Sequence, residues 1–479
     1  MTSLDRFDHP LTGRYASQEM QRLFSNGNRY TTWRRLWLAL ASAEKELGLE
    51  IPDDALEQML ANLEVTADDL ERVREYERRT RHDVMAHLEA FADRAPSAKP
   101  ILHLGATSAY VCDNADLIVT RDALDLVITR LLAVISALAA FAAEWADEPT
   151  LGMTHFQPAQ PTTVGKRACL WLQDFLLDLE RLRFERERIK LRGVKGTTGT
   201  QATFLELFDG DHDKVVALDR RVAETLGFDS CYPVTGQTYP RKVDAFVLDA
   251  LSGVGQSAAK FATDIRLLAR LKELREPLAE GQVGSSAMPY KANPMRSERV
   301  TALARWLITI AANPAQTAAS QWLERTLDDS ANRRMSLPEA FLTADAILRI
   351  VHNVADGLLV FPAMVARNLA EELPLMASEA ILMEAVRRGG DRQAVHERLR
   401  LHARAAASAV LADGGANPFL DLVAEDAEVP LDRSELDALL DPARFVGRAP
   451  QQVREFLADH VQPILDTAGE LPQARDLDV

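Results

Sequence analysis

Apolar residues recur at helical spacing along most of the chain. Between Thr31 and Leu47, Trp33, Leu36, Trp37 and Leu40 fall on one face and predict a helix held by a Trp/Leu stripe. From about residue 115 the pattern lengthens. Ala115 to Glu148 contains neither glycine nor proline, and its leucines, valines and alanines surround much of the helix it predicts, which would be roughly 50 Å long. Val164 to Arg192 is a second such stretch, with Leu170, Leu172, Phe175, Leu176 and Leu179 on one side. Val243 to Glu276, Arg296 to Ala312 and Leu337 to Leu359 complete a set of five. Long helices joined by Gly/Pro/Thr-rich loops predict an elongated bundle. A helix apolar on most sides must be buried on most sides, so bundles from several subunits are expected to pack together.

Around this centre the pattern shortens. Residues 1 to about 107 are helical and mixed, and beyond about 361 short helices alternate with Gly389-Gly390, Gly414-Gly415 and Pro418. The expectation is an all-α chain of three helical domains, 1–110, 111–360 and 361–479. No fixed-period repeat and no strand series stands out.

Composition and charge narrow the chemistry. The chain has 479 residues, 47% hydrophobic and 26% charged, as in ordinary globular proteins. A net charge of -16 disfavours nonspecific binding to nucleic acid or acidic membrane. An anionic substrate would then need a local cluster of arginine and lysine. Cys112, Cys169 and Cys231 are too widely spaced for a disulfide framework or a metal set, which suits thiols in a reducing cytoplasm. The first ten residues lack the apolar core of a signal peptide, and the longest apolar run, Leu131 to Ala143, is too short to span a bilayer.

Several segments carry candidate chemistry. Gly284 to Arg299 reads GSSAMPYKANPMRSER, where Pro289 and Pro294 bar a continuous helix. Its hydroxyls, amine and guanidiniums suit an anion and a proton transfer, although the composition alone suits a surface loop equally. The loop Met153 to Thr163 holds His155, a proton donor or acceptor near neutral pH or simply a capping side chain. His82 lies between Arg81 and Asp83; with His87 five residues on, the two rings diverge on a helix and do not form a zinc pair. Gly193 to Thr200 is glycine-rich but closes with no Walker Gly-Lys-Ser/Thr. Gly253-Val254-Gly255 imitates a dinucleotide fingerprint, but its flanks run at helical spacing, which points to close helix packing. In Trp322 to Arg334, three arginines and a serine line a polar stretch, either a solvated loop or a site for phosphate and carboxylate.

Gly284 to Pro294 resembles the signature loop of the fumarase/aspartase superfamily. Thr107-Ser108, Thr154 to Gln160, Gly193 to Gln201, Thr235 to Tyr239 and Glu324 to Arg334 follow in the order and kind found in its adenylosuccinate lyase family, nearer the eukaryotic type. Six blocks in order cover most of the chain. One departure is Ala292, where that family usually carries arginine. The resemblance implies a homotetramer whose active sites are shared between subunits. It implies release of fumarate by β-elimination from adenylosuccinate, and from the succinylated imidazole ribotide SAICAR, in purine and AMP biosynthesis. It further implies Ser285 as base and His155 as acid, with Lys291 beside the base and His82 assisting. Arg14, Tyr15, Arg299, Arg325, Ser330 and Arg334 would hold the phosphoribosyl group and carboxylates, with Arg81 and Asp83 beside His82. Thr107, Ser108 and Gln237 would contact the succinyl part. No metal or other cofactor is expected. The rival readings are another fumarate-releasing lyase, such as argininosuccinate lyase, and a catalytically silent helical scaffold.

Overall fold

The computed structural model of the chain describes residues 7–278, 281, 287–288 and 290–474. Five long helices form its centre: Ser108–Glu144, Val164–Arg188, Lys242–Arg270, Met295–Ile310 and Asp329–Asp356. All five expected spans are present. The last begins at Asp329 rather than Leu337 and runs through Pro338. Its polar first turns are held by ion pairs of Asp329 and Arg333 with neighbouring helices, which the apolar pattern does not register.

The bundle core follows from the apolar stripes. Leu124, Val127, Leu131, Ile135 and Leu138 are fully buried on the first of these helices, and Leu172, Phe175 and Leu179 face them from the second. Trp171 meets Phe261 edge-on with ring centroids 5.2 Å apart, and its indole N–H donates to Asp264 at 2.8 Å. Gly255 sits inside the Lys242–Arg270 helix; a Cβ there would lie 3.4 Å from Leu307, so this glycine serves close helix packing as expected. The Ser108–Glu144 helix taken whole, at 37 residues, is long and apolar enough to cross a bilayer, unlike its longest uninterrupted apolar run. Its buried face is bundle core, packed against the Val164–Arg188 and Asp329–Asp356 helices.

The loop expected between the first two long helices is a β-hairpin. Pro149–Thr154 pairs antiparallel with Gln157–Thr163, from Pro149 opposite Thr163 to Thr154 opposite Gln157. A second pair joins Leu274–Arg275 to Leu359–Val360. Prolines and glutamine mask the hairpin's alternation in the sequence, and backbone pairing supplies what the pattern lacks.

The N-terminal helices, including Asn26–Glu46 and Asp83–Arg94, pack into the same core as the bundle through Trp33, Trp37 and Phe91. Residues Ala377 to Leu439 build a second core around Ile381, Phe419 and Leu436. The chain then returns, and Val453 and Val461 join the main core.

Candidate active site

A cavity of about 870 Å³ opens where the Ser108–Glu144 helix begins. It gathers Arg81, His82, Asp83, Thr107, Ser108, Gln237, Arg325, Ser330 and Arg334, nine of the residues singled out from the sequence. They arrive from four separate parts of the chain. His82 caps the Asp83–Arg94 helix, its Nδ1 accepting from the Met85 N–H at 3.4 Å. Its Nε2 faces the Ser108 hydroxyl at 3.4 Å. Thr107 precedes the long helix without capping it by its side chain. The free N–H groups and positive dipole end of that helix therefore favour an anion here. Gln237 is held by its N–H to the Glu324 carbonyl at 2.9 Å and by its side-chain amide to the Thr197 carbonyl at 3.1 Å. Arg334 donates to Asp83 at 3.3 Å, closing the cavity between bundle and N-terminal helices.

Beneath the cavity lies a buried ionic layer that sequence reasoning missed. Arg241 grips Asp113 with both terminal nitrogens, at 3.0 and 3.1 Å, and donates from Nε to Asp329 at 2.6 Å. Asp329 also accepts from Arg325 at 2.9 and 3.0 Å. Arg333 donates to Asp244 at 2.7 Å and to Asp116 at 3.1 Å, and contacts the Tyr239 hydroxyl. Burial alone raises the Asp113 carboxyl, but Arg241 and Arg333 outweigh it and hold its pKa below the ordinary value. Burial works against the Arg333 charge too, yet Asp244 and its neighbours keep that guanidinium firmly protonated. A signal existed: Asp113, Asn114 and Asp116 cluster in the first turns of a helix that is otherwise rich in leucine, valine and alanine.

The glycine-rich segment from Gly193 has a structural use. Its carbonyls at Gly193 and Gly196 accept from the buried Arg192 guanidinium at 3.1 and 2.7 Å. The Gly193 and Val194 N–H groups donate to Asn114 and Asp219. Those amides are therefore not free for an anion. His87 is buried, its ring 3.8 Å from that of Tyr30, and burial lowers its pKa to about 4.

Of the remaining candidates, the described ones lie elsewhere. Arg14 and Tyr15 end a single π-helical turn, Leu11–Tyr15, and the Arg299 guanidinium lies over the Tyr15 ring at 5.9 Å. The Tyr15 carbonyl accepts from Arg349 at 2.8 Å. Arg349 is fifteen residues beyond Arg334 on one helix, a separation of about 22 Å. Lys291 is exposed and leads into the Met295–Ile310 helix that carries Arg299. Ser285, with Gly284, Ser286 and Pro289, lies outside the described residues. His155 stands at the tip of the hairpin that follows the far end of the 37-residue helix, a helix about 55 Å long that begins at the cavity. His155 and Phe156 form a two-residue turn with φ of 54° and 57°. Left-handed backbone at two non-glycine residues is strained, and such strain collects at functional sites.

Comparison with known proteins bears on the family of the chain. The family described as Lyase matches residues 14–308, and that described as Adenylosuccinate lyase C-terminus matches residues 374–456. The adenylosuccinate lyase of Saccharomyces cerevisiae is 54% identical over 466 residues, 97% of each chain. That of Schizosaccharomyces pombe is 50% identical, again over 97% of each. Among solved structures, a fumarate lyase from Mesorhizobium sp. BNC1 superposes with a TM-score of 0.79 at 27% identity, over 93% of this chain and 99% of its own.

Proposed function

The chain belongs to the adenylosuccinate lyase family, and on that premise we propose that it cleaves adenylosuccinate to AMP and fumarate, and SAICAR to AICAR and fumarate. The observation that carries this reading is the cavity. An arginine-rich pocket at a helix N-terminus, with Ser108 against His82, suits a phosphorylated dicarboxylate.

The reaction needs a base, an acid and electrostatic support. Ser285 takes the proton from the carbon next to a carboxylate. The electron pair left behind forms the carbon–carbon double bond and expels the nitrogen. His155 gives that nitrogen its proton. Charge developing on the carboxylate is met by Lys291 and the hydroxyls of Thr107 and Ser108. A serine hydroxyl is a weak base, and the ammonium of Lys291 favours its alkoxide. Arg14, Tyr15, Arg299, Arg325, Ser330 and Arg334 bind the phosphoribosyl and carboxylate groups; Gln237 contacts the succinyl part; His82, flanked by Arg81 and Asp83, orients the substrate.

Among the described residues, one chain holds these candidates in three places. The separation of His155 from the cavity supports a homotetramer in which each site draws on several subunits. Leu170, Leu177 and Phe184, spaced by seven on the Val164–Arg188 helix, are 47%, 57% and 48% exposed and offer a seam for another copy. The reading also includes a cytoplasmic location, which the three free cysteines support, and the division into domains 1–110, 111–360 and 361–479, whose last part has its own core. An absorbance assay with adenylosuccinate, argininosuccinate and malate in parallel tests the function. Turnover of adenylosuccinate alone is expected; preference for either of the others rejects it.

A further inference from the structure

Six arginines line the cavity: Arg29, Arg81, Arg241, Arg325, Arg333 and Arg334. Four are already neutralised within the chain. Arg241 and Arg325 share Asp329, Arg333 pairs with Asp244 and Asp116, and Arg334 pairs with Asp83. An incoming phosphate or carboxylate must compete with those aspartates or find an arginine that has none. Among the described residues, Arg29 and Arg81 have no acid partner. Arg81 is already part of the reading above; Arg29 is not.

Arg29 projects from the first turns of the Asn26–Glu46 helix. Its Nε is shut off from solvent and has no hydrogen-bond partner. Its guanidinium lies 5.6 Å over the ring of Trp33, which is itself packed edge-on against Tyr30 and His87 at 5.0 and 5.2 Å. An aromatic support fixes a guanidinium without cancelling its charge. With Nε enclosed and unpaired, the guanidinium's charge is not offset within the chain, and an anionic oxygen would meet it through the part of the side chain that lines the cavity.

We propose that Arg29 is a further substrate-binding residue, taking an anionic oxygen of the nucleotide substrate, from its phosphate or from a carboxylate. The assignment rests on the adenylosuccinate reading. Its seat over the Trp33 ring holds the guanidinium as an anion-binding group.

The test uses the full-length protein and the variants Arg29→Met, which keeps an apolar stem, and Arg29→Lys, which keeps the charge. Turnover of adenylosuccinate is measured with separate titrations of AMP and fumarate; thermal unfolding and oligomer size are followed in parallel. Arg29→Met is expected to raise KM about tenfold or more with kcat little changed, and Arg29→Lys to recover part of the loss. Weakened AMP binding assigns the phosphate; weakened fumarate binding assigns a carboxylate. An unchanged KM in a folded Arg29→Met variant overturns the assignment. So does a loss of stability or assembly that accounts for the whole effect and that lysine does not rescue. Wild-type protein that fails to cleave adenylosuccinate rejects the functional reading instead; AMP and inorganic phosphate binding to wild type and to Arg29→Met then decides the role of the arginine.

Discussion

Glu276 holds the start of the helix on the far side of the signature loop: its Oε2 accepts from both the N–H and the hydroxyl of Ser297, each at 2.9 Å. Its Oε1 accepts from the Arg296 N–H at 2.9 Å. Glu276 is 1% exposed. A carboxylate at a helix N-terminus meets its unpaired N–H groups and its dipole together. Glu276→Ala leaves these donors buried and unpaired, and should lower stability by about 1–3 kcal/mol. Denaturant unfolding measures this, and turnover should fall as well, since Lys291 and Ser285 lie between the two stapled ends.

His155→Ala and Ser285→Ala should each abolish turnover, with a loss of at least about 100-fold expected for a missing acid or base. Neither should change the unfolding midpoint much. Mixing the two inactive variants should restore part of the activity if sites are shared between subunits. No recovery despite demonstrated subunit exchange would reject shared sites.

Arg333→Met strips Asp244 and Asp116 of their cation in a buried layer. Breaking one side of such a pair costs about 3–5 kcal/mol because the other charge stays buried. Unfolding measurements should show that loss. Arg334→Met, whose guanidinium is exposed and pairs with Asp83 at 3.3 Å, should leave stability nearly unchanged and raise KM.

Glu44 is fully buried, its carboxyl oxygens have no hydrogen-bond partner, and burial raises its pKa from 4.5 to about 8. The folded state therefore holds this proton more tightly than the unfolded state. Its contribution is present below pH 4.5 and is lost as pH rises through about 8. Glu44→Met should remove that loss, so the variant's midpoint should gain on wild type as pH rises from about 4.5 to about 8. His87 works the other way: its pKa of about 4, against an ordinary 6.5, gives stability that is lost as pH falls.

Gly199 has φ of +83°, and a Cβ there would stand 1.8 Å from the Thr235 carbonyl oxygen. Backbone on backbone cannot yield as a side-chain tip does. Gly199→Ala should unfold or displace the loop beside Gln237, giving a lower midpoint and a raised KM together.

The sequence determined the helices, because a helix needs only local hydrogen bonds and one apolar stripe, and both are written in consecutive residues. It also offered the candidate site residues, most of them within six motif blocks in order. Where those residues meet was decided by tertiary structure alone. The rise per residue makes the Ser108–Glu144 helix a rod, and that rod sets His155 apart from His82 and Ser108 within one chain. The pairing of Arg241 with Asp113 and Asp329, and of Arg333 with Asp244, joins positions far apart in sequence whose charges read locally as surface. Their burial, and the freedom of Arg29 from any such partner, follow from which helices pack together, and no local pattern encodes that.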